Sequence, residues 1–262
     1  MIGMKRLGVL VIFAAGLAAQ TPQRPVFDAF EVASIKPSTN PTGRFIRMQT
    51  ATEFTAHNHT VRTLLAAAYN LSPNAVLGGP PLVDSDYWEI VAKTPAPQPT
   101  PEQQMAMLRQ LLADRFRVRF HREPKEMPIY ALTVTQGGPK LKPTTLNPNA
   151  DPAGPPPLIF VVSLPVLKLA ARYASMGDFA TLLQRALEQP VIDQTGLIGR
   201  YDFDLEFTPD ETLYSGAFKG AEDASKPGLL AALHDQLGLK LSATRGPVSA
   251  LVIDHAEQPS DN

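Results

Sequence analysis

The chain has 262 residues, of which 44% are apolar and 19% are charged, a balance typical of a globular protein. Its formal net charge is −1, and −3 without the first 20 residues, which contain Lys5 and Arg6; the sequence therefore lacks the basic surplus of a general nucleic-acid-binding protein. The absence of cysteine excludes disulfides, thiolate zinc sites, a thiol nucleophile and lipid attachment to an N-terminal Cys.

Residues 1–20 have the pattern of a secretory signal peptide. Lys5 and Arg6 precede the apolar run LGVLVIFAAGLAA, and small residues precede Gln20. A bilayer-spanning helix needs about 20 apolar residues, so a cleaved signal is favoured over a retained membrane anchor. The sequence therefore predicts a secreted or periplasmic protein with no transmembrane span after cleavage.

The first half of the mature chain, residues 27–142, is predicted to contain two helix-and-strand units. Strands are expected at 30–35, 45–48 and 52–58, followed by a helix with Thr60 as its N-cap, a GGPP turn at 78–81 and a strand at 88–92. After a Pro-rich connector at 95–101, the pattern predicts a helix at 102–113 and strands at 115–120 and 129–135, joined by a turn at 123–127.

Residues 143–157, PTTLNPNADPAGPPP, are predicted to be a Pro-rich linker, because their prolines and small polar side chains cannot form a core. The second half, 158–262, begins with an apolar stretch that is too short to cross a bilayer and is interpreted as buried strands. A helix with Asp178 as its N-cap then leads to a hairpin ending in the strand 201–207. The last unit is expected to be a helix at 227–236 and strands at 237–241 and 248–254, with a turn at 244–247.

The strand 201–207 alternates clearly, with Tyr201, Phe203, Leu205 and Phe207 on one face and acidic residues on the other. Matching elements of the two halves differ in position by 113 to 121 residues, which favours a duplication; chance similarity between common units is the alternative. We therefore predict an α+β fold of two related halves, built from helix-plus-β-hairpin units with mainly antiparallel sheets. Whether the halves form one globule stays open, and apolar residues at 237, 239 and 241 could pair across them.

Four segments carry a family resemblance: FEVASIKP at 30–37, MLRQLLADRF at 107–116, PVIDQTGLIGRYDFDLEFTPD at 190–210, and the final VIDHAEQPSDN. Together they resemble a family of uncharacterised secreted proteins, a domain of unknown function much expanded in soil acidobacteria. In some relatives a similar domain is fused to a BlaR-type sensor peptidase, which implies an extracytoplasmic sensing or binding role. The resemblance implies no catalytic residue, ligand or cofactor.

The sharpest charge feature is the alternation of Arg115, Arg117, Arg119 and His121 with apolar residues, which places four basic side chains on one face of the predicted strand. Like charges on one face repel, so the face is predicted either to be neutralised internally or to meet an anionic ligand. The acidic residues of the strand 201–207 are the candidates for internal neutralisation.

Other combinations of polar residues are weaker candidates for a site. His57 and His59 share a predicted strand face with Glu53, but a metal site needs further ligands, so a solvent-facing strand is favoured. In Asp193-Gln194-Thr195-Gly196 one residue too many separates Asp from Thr for an aspartic-protease motif, and a turn requiring Gly196 and Gly199 is favoured. The sequence has no nucleophile elbow, zinc-protease, Walker or dinucleotide-binding motif, and we predict no metal and no cofactor.

The leading functional hypothesis is a non-catalytic extracytoplasmic module that recognises a protein, a peptide or an envelope polymer through strand edges and the arginine face. The alternative is an envelope-directed hydrolase whose site is assembled from dispersed Asp, Glu and His residues. A cleft in which such residues converge would favour the hydrolase.

Overall fold

The computed structural model describes residues 26–39, 43–146, 158–163, 165–216 and 226–260. The predicted signal peptide and residues 147–157 of the predicted linker lie outside these residues. Within them, no helix combines the length and the apolar content needed to span a membrane.

The helices and strands of the first half largely follow the predicted order. They are β1 (Val32–Pro37), β2 (Phe45–Met48), β3 (Glu53–His59), α1 (Val61–Ala68), β4 (Val76–Gly78), α2 (Leu82–Ser85), β5 (Trp88–Lys93), α3 (Pro101–Arg115) and β6 (Arg119–Val134).

The second half repeats much of this order. Its elements, including a short strand at the junction, are β7 (Lys142–Pro143), β8 (Leu158–Ser163), β9 (Val166–Ala174), α4 (Met176–Leu187), β10 (Val191–Asp193), β11 (Tyr201–Phe207), α5 (Leu229–Ala232) and β12 (Leu239–His255).

Three four-stranded sheets organise the described residues. Sheet A has the order β1-β5-β3-β2, sheet B the order β10-β6-β12-β4, and sheet C the order β7-β11-β9-β8. The pairs in sheets A and C are antiparallel, whereas β10 and β4 run parallel to their long neighbours in sheet B. These sheets confirm the predicted α+β class with mainly antiparallel sheets. Sheets A and C take corresponding strands in the same order, although the duplication itself stays a prediction.

Sheet B joins the two halves. β6 of the first half and β12 of the second pair antiparallel along nearly their whole length, from Leu239 opposite Val134 to His255 opposite Arg119. Each half also lends a short parallel strand to the other, because β4 pairs with β12 and β10 pairs with β6. The expected pairing across the halves is confirmed for Leu239 and Leu241, whereas Leu237 ends the helical turn before β12 and does not pair, so one ladder runs through both halves.

The predicted turns at 123–127 and 244–247 are wrong, because β6 and β12 run through both positions without turning. The sequence suggested turns because Pro124, Pro128 and Pro247 interrupt these strands. β10 covers only 130–132 of β6, and β4 only 251–253 of β12, so all three prolines lie where the second edge of their strand has no paired neighbour. A proline can occupy such an edge position because its missing N–H removes no ladder hydrogen bond there.

Two further local predictions are corrected. The segment around Gly196 and Gly199 does not close a hairpin, because β10 belongs to sheet B and β11 to sheet C; both glycines nevertheless have positive φ, 67° and 121°. Helix α4 begins at Met176 with Ser175 as its N-cap, and Asp178 is the third helical residue. Their reciprocal hydrogen bonds form a capping box, which satisfies two backbone donors at the helix start. Thr60 caps α1 as predicted.

The helices cover one face of each outer sheet and form two main cores, which share the central ladder. The first core joins α1 and α3 to sheet A and includes Leu251 and Ile253 of β12. The second joins α4 to sheet C and includes Leu132 of β6. The predicted alternation of β11 is confirmed, since Phe203, Leu205 and Phe207 are buried and Tyr201 packs against the second core.

Candidate binding cleft

The four basic residues predicted to share a strand face do not do so. Arg115 is the last residue of α3, Arg117 has a positive φ of 51°, and β6 begins only at Arg119. The helix therefore continues two residues past its predicted end at 113 and includes the first residue of the predicted strand, and the backbone then turns before it becomes extended. Arg119 and His121 alone retain the alternation of one strand.

The basic residues also differ in their partners. His121 Nδ1 lies 2.8 Å from Asp254 Oδ1 on the neighbouring strand. Arg117 and Arg119 are exposed, and neither side chain forms a hydrogen bond or an ion pair with any described residue. Internal neutralisation therefore applies to His121 and not to these two arginines.

The acidic face of β11, predicted as a neutraliser of the arginines, has other partners. Lys168 and Lys226 bind Glu206 at 2.7 and 2.8 Å, and Arg172 lies 2.9 Å from Asp204. Hydrogen bonds from Lys168 and then Lys226 lower the pKa of the Glu206 carboxyl to about 2. The outer face of sheet C is thus a charge-paired, solvated surface.

Arg115 instead holds the C-terminal tail, residues 256–260, against the body of the protein. Its Nε and Nη2 atoms lie 3.1 and 2.6 Å from the Ser260 carbonyl oxygen, and its Nη1 donates to the Ala33 carbonyl of β1 at 3.3 Å. The tail backbone also bonds to the end of α3. Ser260 N donates to the Arg115 carbonyl at 2.9 Å, and Glu257 N donates to the Phe116 carbonyl at 2.8 Å. The arginine guanidinium therefore bridges the tail and the edge of sheet A.

Replacing Arg115 should release this tail. In Arg115→Gln, we expect the free energy of unfolding to fall by about 1–3 kcal/mol, because charge-assisted bonds to two carbonyls are lost from a half-buried position. Carboxypeptidase should also remove the tail faster than in the parent protein. Arg117→Gln is the matched control and should change stability by less than about 0.5 kcal/mol. Equal tail cleavage in the two variants would contradict the role of Arg115.

A cleft of about 280 Å³ opens between this tail and the edge of sheet A. One wall comes from β1, one from the tail, and Trp88 of β5 and Arg115 complete the lining. The lining residues are Ile35, Pro37, Trp88, Arg115, Gln258, Pro259 and Ser260. Apolar side chains and polar groups both reach the surface of the cleft, and the polar groups expose the larger share of it.

Trp88 is the only tryptophan of the chain and is 5% exposed. Its ring packs edge to face against Phe116, with centroids 5.5 Å apart and an interplanar angle of 76°. Its indole N–H has no hydrogen-bond partner among the described residues. Because tryptophan emission depends on its immediate surroundings, this residue is a built-in optical probe of the cleft.

The histidine pair predicted on one face of β3 is separated by the backbone. Asn58 has a positive φ of 56°, and the register of β3 against β5 shifts between Ala56 and His59. This bulge adds a residue to the strand, so His57 faces outward while His59 is buried. No group of three or more His, Asp or Glu side chains able to hold a metal occurs among the described residues.

His57 belongs to a polar cluster on the outer face of sheet A. Its Nδ1 lies 2.7 Å from Glu89 Oε2, and the other Glu89 oxygen accepts the Ser38 hydroxyl at 2.7 Å. Glu89 thus holds both groups, and the hydroxyl proton points to a carboxylate rather than to an imidazole base. Glu89 and Trp88 are successive residues of one strand, so this cluster lies on the sheet face opposite the cleft.

His59 makes stability depend on pH. Burial, with a smaller effect of Arg44, lowers its pKa from 6.5 to about 3. The unfolded chain therefore takes up a proton near pH 6.5 that the folded protein resists until about pH 3, so the stabilisation is full above pH 6.5 and is lost as the pH falls towards 3. Between these values the free energy of unfolding should fall by up to about 1.4 kcal/mol per pH unit from this group.

His59→Asn should remove this contribution, because an amide does not titrate and can retain the contact to Thr63 Oγ1, which lies 3.1 Å from Nδ1. Urea unfolding of both proteins at several pH values measures the difference in slope. Parallel pH dependences would show that His59 is not the responsible group.

The Asp193 side chain stabilises a local turn. One of its carboxylate oxygens accepts the Thr195 backbone N–H at 2.9 Å and the Thr195 hydroxyl at 2.7 Å. These hydrogen bonds are typical of a turn stabilised by an Asp side chain. A turn is also what the sequence favoured over an aspartic-protease site.

The residues that form the cleft were missed at the sequence level. Ile35, Trp88, Arg115 and Ser260 are far apart in the chain, and only the folding of β1, β5, α3 and the tail brings them together. Two signals were available: the single tryptophan, and the tail sequence AEQPS within one of the segments that carry the family resemblance.

Comparison with known proteins supports the predicted membership of a domain of unknown function. A family model described as a protein of unknown function, DUF3738, matches residues 62–256, which include Trp88 and Arg115 but neither β1 nor the last tail residues. No curated protein and no solved structure matches the chain. Because the match covers well over half of the sequence, the chain belongs to the DUF3738 family of proteins of unknown function.

Proposed function

We propose that this protein is a non-catalytic extracytoplasmic binding module that captures its partner in the cleft beneath the C-terminal tail. The observation that carries the proposal is the cleft itself, about 280 Å³ in volume and lined by Ile35, Trp88 and Pro259. Among the described residues, Arg115 is the only ionisable residue of the lining, and it already holds the tail and β1. Apolar side chains and polar groups line the cleft together, and its described lining holds no carboxylate or imidazole for acid–base chemistry.

The polar groups elsewhere support binding over hydrolysis. The Ser38, Glu89 and His57 cluster lies on the opposite face of sheet A from the cleft, and Glu89 holds both partners. A hydrolase needs its nucleophile, its base and a substrate pocket in one place. The described residues do not provide that combination, so the hydrolase alternative gains no specific support.

The proposed location and role rest on the sequence. The basic start and apolar run of residues 1–20 favour export. The resemblance to soil acidobacterial proteins, some fused to BlaR-type sensor peptidases, favours a sensing role outside the cytoplasm. Arg117 and Arg119, exposed beside the start of β6, would attract an anionic partner, and this attraction would weaken in salt.

The fluorescence of Trp88 tests the proposal directly. The mature protein would be titrated with neutral seven-residue peptides, a polyglutamate peptide, a polygalacturonate oligomer and phosphatidylglycerol vesicles. At least one probe class is expected to change Trp88 emission saturably. Pro37→Phe, which fills the cleft at β1, should abolish the change.

Val91→Phe is the matched control, because Val91 is 45% exposed on the other face of sheet A and the cleft stays unchanged. Binding should persist in this variant. The proposal fails if no probe alters Trp88 emission, or if Pro37→Phe and Val91→Phe respond alike. For the arginines, Arg117→Gln combined with Arg119→Gln should weaken the polyglutamate response at low salt only.

A further inference from the structure

We propose that the partner is an extended polypeptide, which adds to β1 as a fifth strand of sheet A and inserts one apolar side chain into the cleft. This inference rests on the proposed function and specifies the ligand class of the same site. It follows from the hydrogen-bonding direction along β1 and from the position of the cleft beneath that edge. The backbone groups of the edge and the side chains that line the cleft then indicate the class of ligand.

β1 is a terminal strand of sheet A, paired only with β5 among the described residues. Ser38 N donates to the Tyr87 carbonyl at 2.8 Å, immediately beyond the last ladder pair. Hydrogen-bonding direction alternates along an antiparallel strand. The backbone N–H and C=O groups of Ser38, Lys36 and Ser34 therefore point towards β5. Ile35 lies in the other set and turns its N–H and C=O away from the sheet.

Two neighbours of Ile35 support this assignment independently. Pro37 is in the same set as Ile35, and a proline, which has no N–H, is suited to the outward positions of an edge strand. The Ala33 carbonyl, also in this set, accepts a hydrogen bond from Arg115, which lies outside sheet A. Among the described residues, the outward backbone groups of this set have a partner at Ala33 and none at Ile35.

The cleft lies where a strand added to this edge would place its side chains. The side chains of Ile35 and Pro37 line it together with Trp88, so it opens on the inner face of sheet A beside β1. Alternate side chains of an added strand would point to that inner face, about 6.6–6.8 Å apart. One of them would enter the cleft and contact Trp88 and Pro259.

This arrangement favours a polypeptide over a sugar polymer or a lipid headgroup. The open edge presents a backbone donor and acceptor at Ile35, which an amide backbone complements at strand spacing. The Arg115 guanidinium commits three of its five N–H groups to backbone carbonyl oxygens, so few of its donors remain for a phosphate or a carboxylate. The side chains of Ile35, Trp88 and Pro259 offer contact to a large apolar residue of such a peptide, which is the best-matched occupant.

The probe is the acetylated, amidated heptapeptide Thr-Val-Thr-Phe-Thr-Val-Thr, titrated against the mature protein with Trp88 emission as the readout. A version with Ala in place of Phe should bind at least about tenfold more weakly, since it removes the side chain that enters the cleft. Two N-methylated versions carry the decisive comparison. One is methylated at the central Phe, and the other at the two Thr residues that flank it.

N–H direction alternates along a strand, so one of these two peptides blocks the donor facing β1 and the other blocks only donors facing solvent. Strand addition therefore predicts at least about a tenfold loss of affinity for one N-methylated peptide and near-parent affinity for the other. A side chain that merely filled the cleft would show no such asymmetry.

Variants of Ile35 test the protein side. Ile35→Pro removes the outward N–H and should weaken the parent heptapeptide by at least about tenfold, whereas Ile35→Val retains the N–H and should stay within about threefold. If Ile35→Pro does not fold, the N-methylated pair decides the question in the parent protein.

Equal affinity of both N-methylated peptides and the parent peptide would overturn strand addition. So would the absence of any heptapeptide response up to about 1 mM, an affinity of only about 4 kcal/mol, when another probe class does change Trp88 emission. In that second case the proposed cleft function stands and the peptide assignment falls. If no probe class changes Trp88 emission, both fall.

Discussion

Residues 27–142, expressed without the second half, are expected not to fold. In the intact protein β6 pairs with β12 along its length and with β10 near its end, and β4 pairs with β12. The isolated half loses all of these partners. It also loses Leu251 and Ile253, which are 0% and 3% exposed within the first core.

The size of the effect follows from the usual energetics of burial. Each large apolar side chain contributes about 1.5–3 kcal/mol when fully buried. A domain is stable by only about 5–15 kcal/mol, so the loss of two such side chains together with the ladder should exceed the stability of the fragment. Circular dichroism and thermal unfolding measure the result, and no cooperative transition is expected.

Mixing the fragment with residues 158–262 is the matching control. Because sheet B supplies the contacts between them, the two fragments should recover a cooperative transition together that neither has alone. A cooperative thermal transition of 27–142 alone would show instead that each half is an independent domain.

Gly238→Ala is expected to destabilise the intact protein by at least about 3 kcal/mol. Gly238 ends the helical turn before β12 with a φ of +64°, a conformation that costs an L-residue about 1–2 kcal/mol. A Cβ atom there would also overlap the Gly138 carbonyl oxygen and lie 3.1 Å from Lys140 N. These groups cannot easily move, because Lys140 N donates to the Leu237 carbonyl at 2.8 Å.

Gly138→Ala separates the two causes. Gly138 also has a positive φ, +79°, but no atom lies within 4 Å of the position that its Cβ would take. This control should therefore lose only about 1 kcal/mol from backbone strain. Urea unfolding of both variants gives the comparison, and equal losses would show that the close approach at Gly238 relaxes without cost.

The sequence was sufficient where local rules act alone. The alternation of β11, the cap at Thr60 and the positive φ of Gly196 each depend on neighbours within a few residues, and all three are found. Pro124 and Pro247 misled the prediction, because whether a proline ends a strand depends on whether another strand covers its free edge. That neighbour comes from the other half of the chain.

The candidate site was less accessible to prediction for a similar reason. The bulge at Asn58 reverses the direction of His59, and an extra residue in a strand leaves no mark in the alternation of side-chain types. Arg115 was assigned to a strand because it continues the alternation of Arg117 and Arg119, yet α3 extends to include it. The cleft requires four separate segments, so no local pattern could reveal it.

The reciprocal exchange of β4 and β10 across sheet B has a bearing on assembly. Each half finds its complement in the other half of the same chain, but an identical complement exists on every other copy of the protein. A short tether between two partners gives an effective concentration in about the millimolar range, so folding at lower protein concentrations favours the ladder within one chain. Refolding at high concentrations of this protein favours domain-swapped dimers, in which the same ladder forms between two molecules.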